Sequence, residues 1–329
     1  MKIINKILPG LLILAAFTFI SCDKEEYNFT GDSTARIYFT SYYQGLNTFG
    51  FSVLHTPLGS WGLINASFPV RSTQKADAAI NVSLAIDNSL AEAFNLKNGT
   101  NYSTVPSGLA ELSTSSLVIP VGAYLSSDSV KVTISEDVVA QLTATGYIIP
   151  VRITSINTTE DAEISSNLNT IYIIVKTDWS NCYNGQVLAN MVGILISPRT
   201  GWSASINVPL YSGNLGQLFD GSTNSYWQIR PSAKFILTVD LASEYVAIAG
   251  IRTNTSSTNY GLTQAKVYSS VDNLSWTYQG TPTFSTSSAY QYVRFYAPIT
   301  ARYLRIESVS TRSTSRIYMG EFDVYRNQL

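Results

Sequence analysis

The chain has 329 residues, a net charge of −1, 13% charged residues and 45% hydrophobic residues. That balance excludes nucleic-acid attraction by bulk charge, and it provides enough apolar material for a core. The single histidine, His55, excludes a histidine-rich zinc centre and allows no more than one histidine-dependent catalytic centre.

Length favours two domains, and the 42 Ser, 32 Thr and 21 Tyr favour pleated strands and turns over helix interiors, so a mostly β chain is expected. At the N-terminus, Lys2 and Lys6 precede an apolar stretch over residues 7–20, then small Ser21 and Cys22. This reads as a secretory signal peptide over residues 1–21; the apolar stretch is short of the ~20 residues a membrane span needs. Ser21-Cys22 resembles a bacterial lipoprotein box, which implies that Cys22 is acylated and becomes the first mature residue. Asp23-Lys24-Glu25-Glu26 is similar to the acidic signal of Bacteroidetes lipoproteins exported to the outer face of the outer membrane. The expected location is therefore the outer membrane, lipid-anchored and facing the exterior, with residues 22–33 as a flexible tether. A lipidated Cys22 leaves Cys182 without a disulfide partner, so Cys182 is expected to act as a small buried hydrophobe.

Short β-branched runs bounded by Gly, Asn, Ser or Pro predict strands over residues 35–40, 66–71, 80–86, 117–120, 130–134, 148–153 and 170–176. One helix interrupts them: Asp87 or Asn88 can cap it, Leu90, Ala93 and Phe94 give an apolar stripe, and Asn98-Gly99 stops it. The order of Ala85-Ile86-Asp87-Asn88, the helix, Leu117-Val118-Ile119-Pro120 and Tyr147-Ile148-Ile149-Pro150-Val151 is similar to the Bacteroidetes module called domain of unknown function 1735. The resemblance implies an immunoglobulin-like β-sandwich over residues 34–177, a spacer between the lipid and a glycan-binding or glycan-cleaving domain.

A polar stretch with one Trp marks the boundary, taken as a linker over residues 178–182. A charge shift accompanies it: residues 22–179 carry 8 basic and 15 acidic residues, whereas residues 180–329 carry 11 and 7.

Beyond it, strands are predicted over residues 235–241, 246–253, 265–269, 290–296, 301–309 and 316–325, an all-β sandwich pattern. Four blocks carry a second resemblance. They are Leu218-Phe219-Asp220-Gly221 with Ser225 and Trp227; Leu237-Thr238-Val239-Asp240-Leu241 with Ala249-Gly250-Ile251-Arg252; Ala265-Lys266-Val267-Tyr268-Ser269-Ser270 with Asp272 and Trp276; and Ile299-Thr300-Ala301-Arg302-Tyr303-Leu304-Arg305-Ile306 with Glu321-Phe322-Asp323-Val324-Tyr325. In order and spacing they resemble the discoidin, or coagulation factor 5/8 type C, domain, whose bacterial members include family 32 carbohydrate-binding modules. This implies a galactose-binding-like jelly roll over residues 183–329.

The Asp220 loop combines a carboxylate, a sharp turn at Gly221, hydroxyls and the Trp227 anchor, and a hard cation takes six to eight oxygens of these kinds. The resemblance implies a structural calcium held by Asp220, Ser222, Ser225 and Glu321, with backbone carbonyls near Gln217, Ser222 and Asn224. The alternative is an ion-free turn with a surface glutamate. For a sugar, the chemistry is an aromatic ring under the C–H face with planar polar groups on the hydroxyls. The resemblance places Arg252, Asn259 with Tyr260, and Tyr318 in those roles, with Gln228 where relatives often have histidine. The competing readings are a strand-end ion pair for Arg252, a turn residue for Asn259 and a core-edge aromatic for Tyr318. Trp227 and Trp276 read as core. Trp202, in a Gly/Ser-rich segment, is a further candidate platform.

The leading function is a non-catalytic surface lipoprotein that binds a glycan ligand, beside an outer-membrane importer and secreted glycosidases. Adhesion to a host protein or lipid is the alternative, because fold does not fix function. A glycosidase needs two carboxylates and a barrel of roughly 250 residues, for which two sandwiches leave no room.

Overall fold

The computed structural model describes residues 34–39, 47–230, 234–255, 257–286 and 288–328. Cys22, Asp23, Glu25 and Glu26, with the signal peptide and the tether, lie outside the described residues. Strands dominate, and the fold is two β-sandwiches, immunoglobulin-like and then jelly roll, each around its own apolar core.

Period-two burial builds the first core. Ile64, Ala66 and Phe68 point inward from Ile64–Phe68, Ile80, Val82 and Leu84 from Ile80–Ile86, and Val130, Val132 and Ile134 from Val130–Ile134. The main sheet runs in the order Gly59–Trp61, Thr48–Thr56, Thr170–Trp179, Gly146–Asn157, Ile80–Ile86, Ser116–Ile119. Two three-stranded sheets centred on Ala35–Phe39 and Val130–Ile134 supply the rest. The central strand Gly146–Asn157 is buried on both faces, because the helix Leu90–Asn98 covers its outer side. That helix packs through Ala91 and Phe94 onto Ile148, Ile174 and Tyr172, whereas Ala93, assigned to the stripe from sequence, is exposed. Ser89 is the N-cap position, with Asp87 accepting from its N–H and hydroxyl. Gly99 ends the helix in the left-handed conformation at φ 62°.

In the second sandwich the main sheet runs Ile194–Leu195, Phe322–Arg326, Ile236–Asn254, Tyr290–Thr311, Leu262–Ser270, Thr277–Gly280. Two pairs of predicted strands are fused: Ile236–Asn254 and Tyr290–Thr311 each run on as one bulged strand. The bulges fall between Asp240 and Gly250, where Ala242 and Ala247 take positive φ and Asp240 accepts from the Ala242 N–H at 2.8 Å. The run predicted over residues 316–325 is instead split, into Ile317–Met319 and Phe322–Arg326, so that the chain turns at Gly320-Glu321. Trp227 lies fully buried against Phe235, 5.9 Å between ring centroids. Trp276, expected in the core, is half-buried at its edge with the Arg305 guanidinium 3.7 Å above it.

Residues 178–182 carry the chain directly from one sandwich to the other. Trp179 ends its strand, and Ser180, Asn181 and Cys182 are buried. The Asn181 amide donates to Gln279 Oε1 and to the Ala297 carbonyl, both at 2.9 Å, and its oxygen accepts from the Ala297 N–H at 2.8 Å. Ser180 donates its N–H to the His55 carbonyl. Stacked Trp61 and Tyr296, 6.1 Å apart, add contact beside it. Gly280, at φ 136°, is required: a Cβ there meets Ser180 Oγ at 2.2 Å. Cys182 donates its thiol to the Gln279 carbonyl at 3.2 Å, and burial pushes the thiol far up.

Candidate functional site

A two-stranded ribbon at one end of the second sandwich organises the surface of interest. Trp227–Ile229 pairs antiparallel with Ile317–Met319, Gln228 opposite Tyr318. Alternation sends Trp227, Ile229, Ile317 and Met319 into the core and Gln228 and Tyr318 outward. A third segment joins: Tyr211 N–H donates to the Gln228 carbonyl at 2.7 Å, and Gln228 N–H to the Ser212 carbonyl at 2.9 Å. Gly213 permits this approach, since a Cβ there meets Trp227 Cα at 2.8 Å. On the other side, Tyr318 N–H donates to the Tyr260 carbonyl at 3.1 Å.

The result is a stack of three tyrosines. Tyr226 and Tyr260 lie 4.9 and 4.2 Å from Tyr318, nearly parallel to it, one on each face. Tyr318 is thus the covered middle ring, and the free faces belong to Tyr260 and Tyr226; this corrects the assignment of Tyr318 as the stacking platform. Beside Tyr260 is an open depression of ≈790 Å³ lined by Thr258, Asn259, Thr286, Thr311 and Ser313 among others. Arg312 pins its walls, donating to the Thr258, Ser285 and Ser288 carbonyls. The Gln228 Oε1 atom is buried without a hydrogen-bond partner.

Two candidates lie elsewhere. Arg252 donates to Asp323 Oδ2 from Nε at 2.9 Å and Nη2 at 2.6 Å, with the Tyr290 ring 5.1 Å from its guanidinium carbon. Burial opposes its charge, but Asp323 outweighs burial and raises the guanidinium pKa. The strand-end ion pair thus forms, because register sets Arg252 opposite Asp323. Trp202 is 8% exposed, packed edge-on against Phe219 and Tyr245, and is core, not a platform.

The acidic loop meets the same network. Asp220 accepts from the Ser222 N–H at 2.8 Å and the Ser225 hydroxyl at 2.6 Å. Burial works against its ionisation, but these bonds outweigh it and hold the carboxyl below its ordinary value. Glu321 is 5% exposed; Arg199 pairs with one of its oxygens, and the other, Oε1, has no partner. Burial pushes the Glu321 carboxyl up, with the neighbouring Asp220 adding to the rise. An orphaned buried oxygen beside a second carboxylate fits a hard cation, with Asp220, Ser225 and Glu321 as side-chain donors and the Ser222 carbonyl at hand. Among the described residues no group of three or more His, Cys, Asp or Glu surrounds such a point, so carbonyls, hydroxyls and solvent would complete the shell.

Gln228, Tyr260 and Tyr318 are thus brought together with Asn259 in the adjoining turn. Sequence reasoning missed Tyr211, Tyr226, Arg230 and Arg316. The last three were legible as the outward-facing partners of Trp227, Ile229 and Ile317 in a period-two pattern.

The family model of the F5/8 type C domain matches residues 200–321, which hold the ribbon, the Asp220 loop and the bulged strands. Residues 200–321 form an F5/8 type C domain. A second family model, described as an N-terminal domain, matches residues 31–160 of the first sandwich. No curated protein matches the chain. A two-domain protein of unknown function from Bacteroides fragilis NCTC 9343 shares its fold, at 19% identity and TM-score 0.58, covering 89% of this chain and 95% of that one. The chain is also similar to the family 32 carbohydrate-binding module of Clostridium perfringens NanJ, solved with galactose, at 18% identity and TM-score 0.35, over 39% of this chain and 96% of that one. A third similar structure is the C-terminal domain of a chitobiase from Bacteroides fragilis, at 19% identity and TM-score 0.35, over 41% of this chain and 99% of that one.

Proposed function

We propose that the F5/8 type C domain binds glycans, without catalysis, at the surface formed by the outer face of Tyr260, Asn259 and the hydroxyl-lined depression. The observation that carries this reading is the stack of Tyr226, Tyr318 and Tyr260, which holds an aromatic face rigidly beside that depression. A ring with fixed orientation binds the C–H face of a sugar at little entropic cost, and the turn amide and hydroxyls take its hydroxyl groups. The same reading makes the chain a lipoprotein anchored through Cys22 in the outer membrane and facing outward. There it captures polysaccharide for an importer and glycosidases, with the first sandwich as spacer. Calcium bound by Asp220, Ser225, Glu321 and the Ser222 carbonyl would neutralise the facing carboxylates and fix the loop that leads into Trp227. Two experiments test these proposals. A glycan array probed with the full chain should give signals that Tyr260→Ala removes; retention of a host protein or lipid with no glycan signal would install the adhesion reading. Cys22→Ala should abolish fatty-acid labelling and membrane association, and persistent labelling would remove the lipoprotein reading.

A further inference from the structure

The outer face of the ribbon continues one step beyond Gln228 and Tyr318. The pairing sets Gln228 opposite Tyr318 and ends at Ile229 opposite Ile317; Arg230 and Arg316 are the next residue on each side, and neither is buried. Neither arginine is among the ion pairs of the described residues. Instead both guanidiniums lie against one ring, that of Tyr211, with their central carbons 4.5 and 5.0 Å from its centroid. Tyr211 is 47% exposed.

One arginine on an exposed ring is ordinary cation–π packing. A second on the same ring adds repulsion, and packing alone gives no reason for it. Each guanidinium carries five donors, and packing on the Tyr211 ring occupies none of them. The Arg230 bond and the Arg316 charge hold the Tyr211 hydroxyl below its ordinary value, a sign of the positive potential there. Two planar forks held on one exposed ring offer the donor geometry that fits the oxygens of a carboxylate or sulfate. The cluster also adjoins the sugar surface, because Arg316 lies two residues before Tyr318, on which Tyr260 stacks.

We propose that Arg230 and Arg316 form a subsite for an anionic substituent, a carboxylate or sulfate ester, on a glycan whose neighbouring sugar stacks on Tyr260. This rests on the glycan-binding reading of the Tyr260 surface and names its ligand class: acidic polysaccharide. The bound anion cancels the repulsion between the two arginines, so its binding is driven by relief of a cost already built into the ribbon.

Calorimetric titration of the full chain with trigalacturonate, its neutral methyl ester and a sulfated galactan tetrasaccharide tests this. At least one anionic probe should bind about tenfold or more tightly than the ester, the gap narrowing as salt is raised. The probe preferred distinguishes carboxylate from sulfate. The double variant Arg230→Gln/Arg316→Gln should lose the preference, keep its affinity for the ester, and melt at the same temperature or higher. Equal affinities, a preference that survives the double substitution, or a lowered melting temperature would each overturn the subsite. If neutral glycans bind and neither anionic probe does, the subsite falls and the Tyr260 surface stands; if no glycan binds, both fall.

Discussion

Replacing Arg252 separates a structural arginine from a ligand-binding one. Its guanidinium places two bonds, 2.9 and 2.6 Å, on a single oxygen of Asp323, and the two side chains are 21% and 10% exposed. Removing one partner of a buried pair strands the other charge, at a cost of about 3–5 kcal/mol. Arg199 still reaches the other Asp323 oxygen at 3.1 Å, so Arg252→Ala should cost less, about 2–3 kcal/mol. In a module of this size each kcal/mol lowers the melting temperature by about 2–4 °C, giving an expected fall of about 4–12 °C by circular dichroism. Glycan affinity measured well below that temperature should be unchanged. An unaltered melt with lost binding would refute the reasoning and return Arg252 to the ligand.

The carboxylate pair predicts a pH and metal dependence. Because burial raises the Glu321 value above that of the unfolded chain, its contribution favours the fold at low pH and is lost as pH rises through its titration. Calcium should abolish that loss, stabilising by about 2.7 kcal/mol at a hundredfold excess over Kd, and Asp220→Ala should remove the response to chelator; chelator-insensitive melts of metal-loaded protein would contradict it. Asp272 has the opposite sign: bonds from the Leu274 and Ser275 N–H groups, 2.8 Å each, hold its carboxyl at about 2. Its stabilisation should be present above about pH 4 and lost as pH falls toward 2, and Asp272→Asn should flatten that acid limb of the melting curve. Asn181→Ala should destabilise by about 3 kcal/mol, since it orphans the buried Ala297 N–H and Gln279 Oε1; a loss under about 1 kcal/mol would contradict the anchoring of residues 178–182 on the second sandwich.

The sandwich architecture was legible because burial follows period two: Ile80–Ile86 and Val130–Ile134 were read to the residue. Thr48–Thr56 was not, since Thr48, Gly50 and Ser52 dilute the apolar pattern of a strand held by parallel pairing with Thr170–Trp179. The fused strands escaped notice because their interruptions are bulges, where the chain kinks and keeps its partner. Of the site, Gln228, Asn259, Tyr260 and Tyr318 were implied by the family resemblance, and the fold brings them to one surface. The Arg252 pair was not visible in the sequence because Asp323, 71 residues away, meets it only through sheet register. Trp202 looks exposed beside Gly201 and Ser203, and only tertiary packing against Phe219 and Tyr245 buries it. No local pattern announces that Tyr226 and Tyr260 cover both faces of Tyr318.

The measurement that bears most directly on the glycan-binding surface is the affinity of Tyr260→Ala for whichever oligosaccharide the full chain binds. Loss of an aromatic platform should weaken binding by about 1–3 kcal/mol, roughly five- to 150-fold. The melting temperature should move little, because Tyr260 sits in a turn at the edge of the core. Affinity within twofold of the unsubstituted chain, with the stack otherwise intact, would contradict the account.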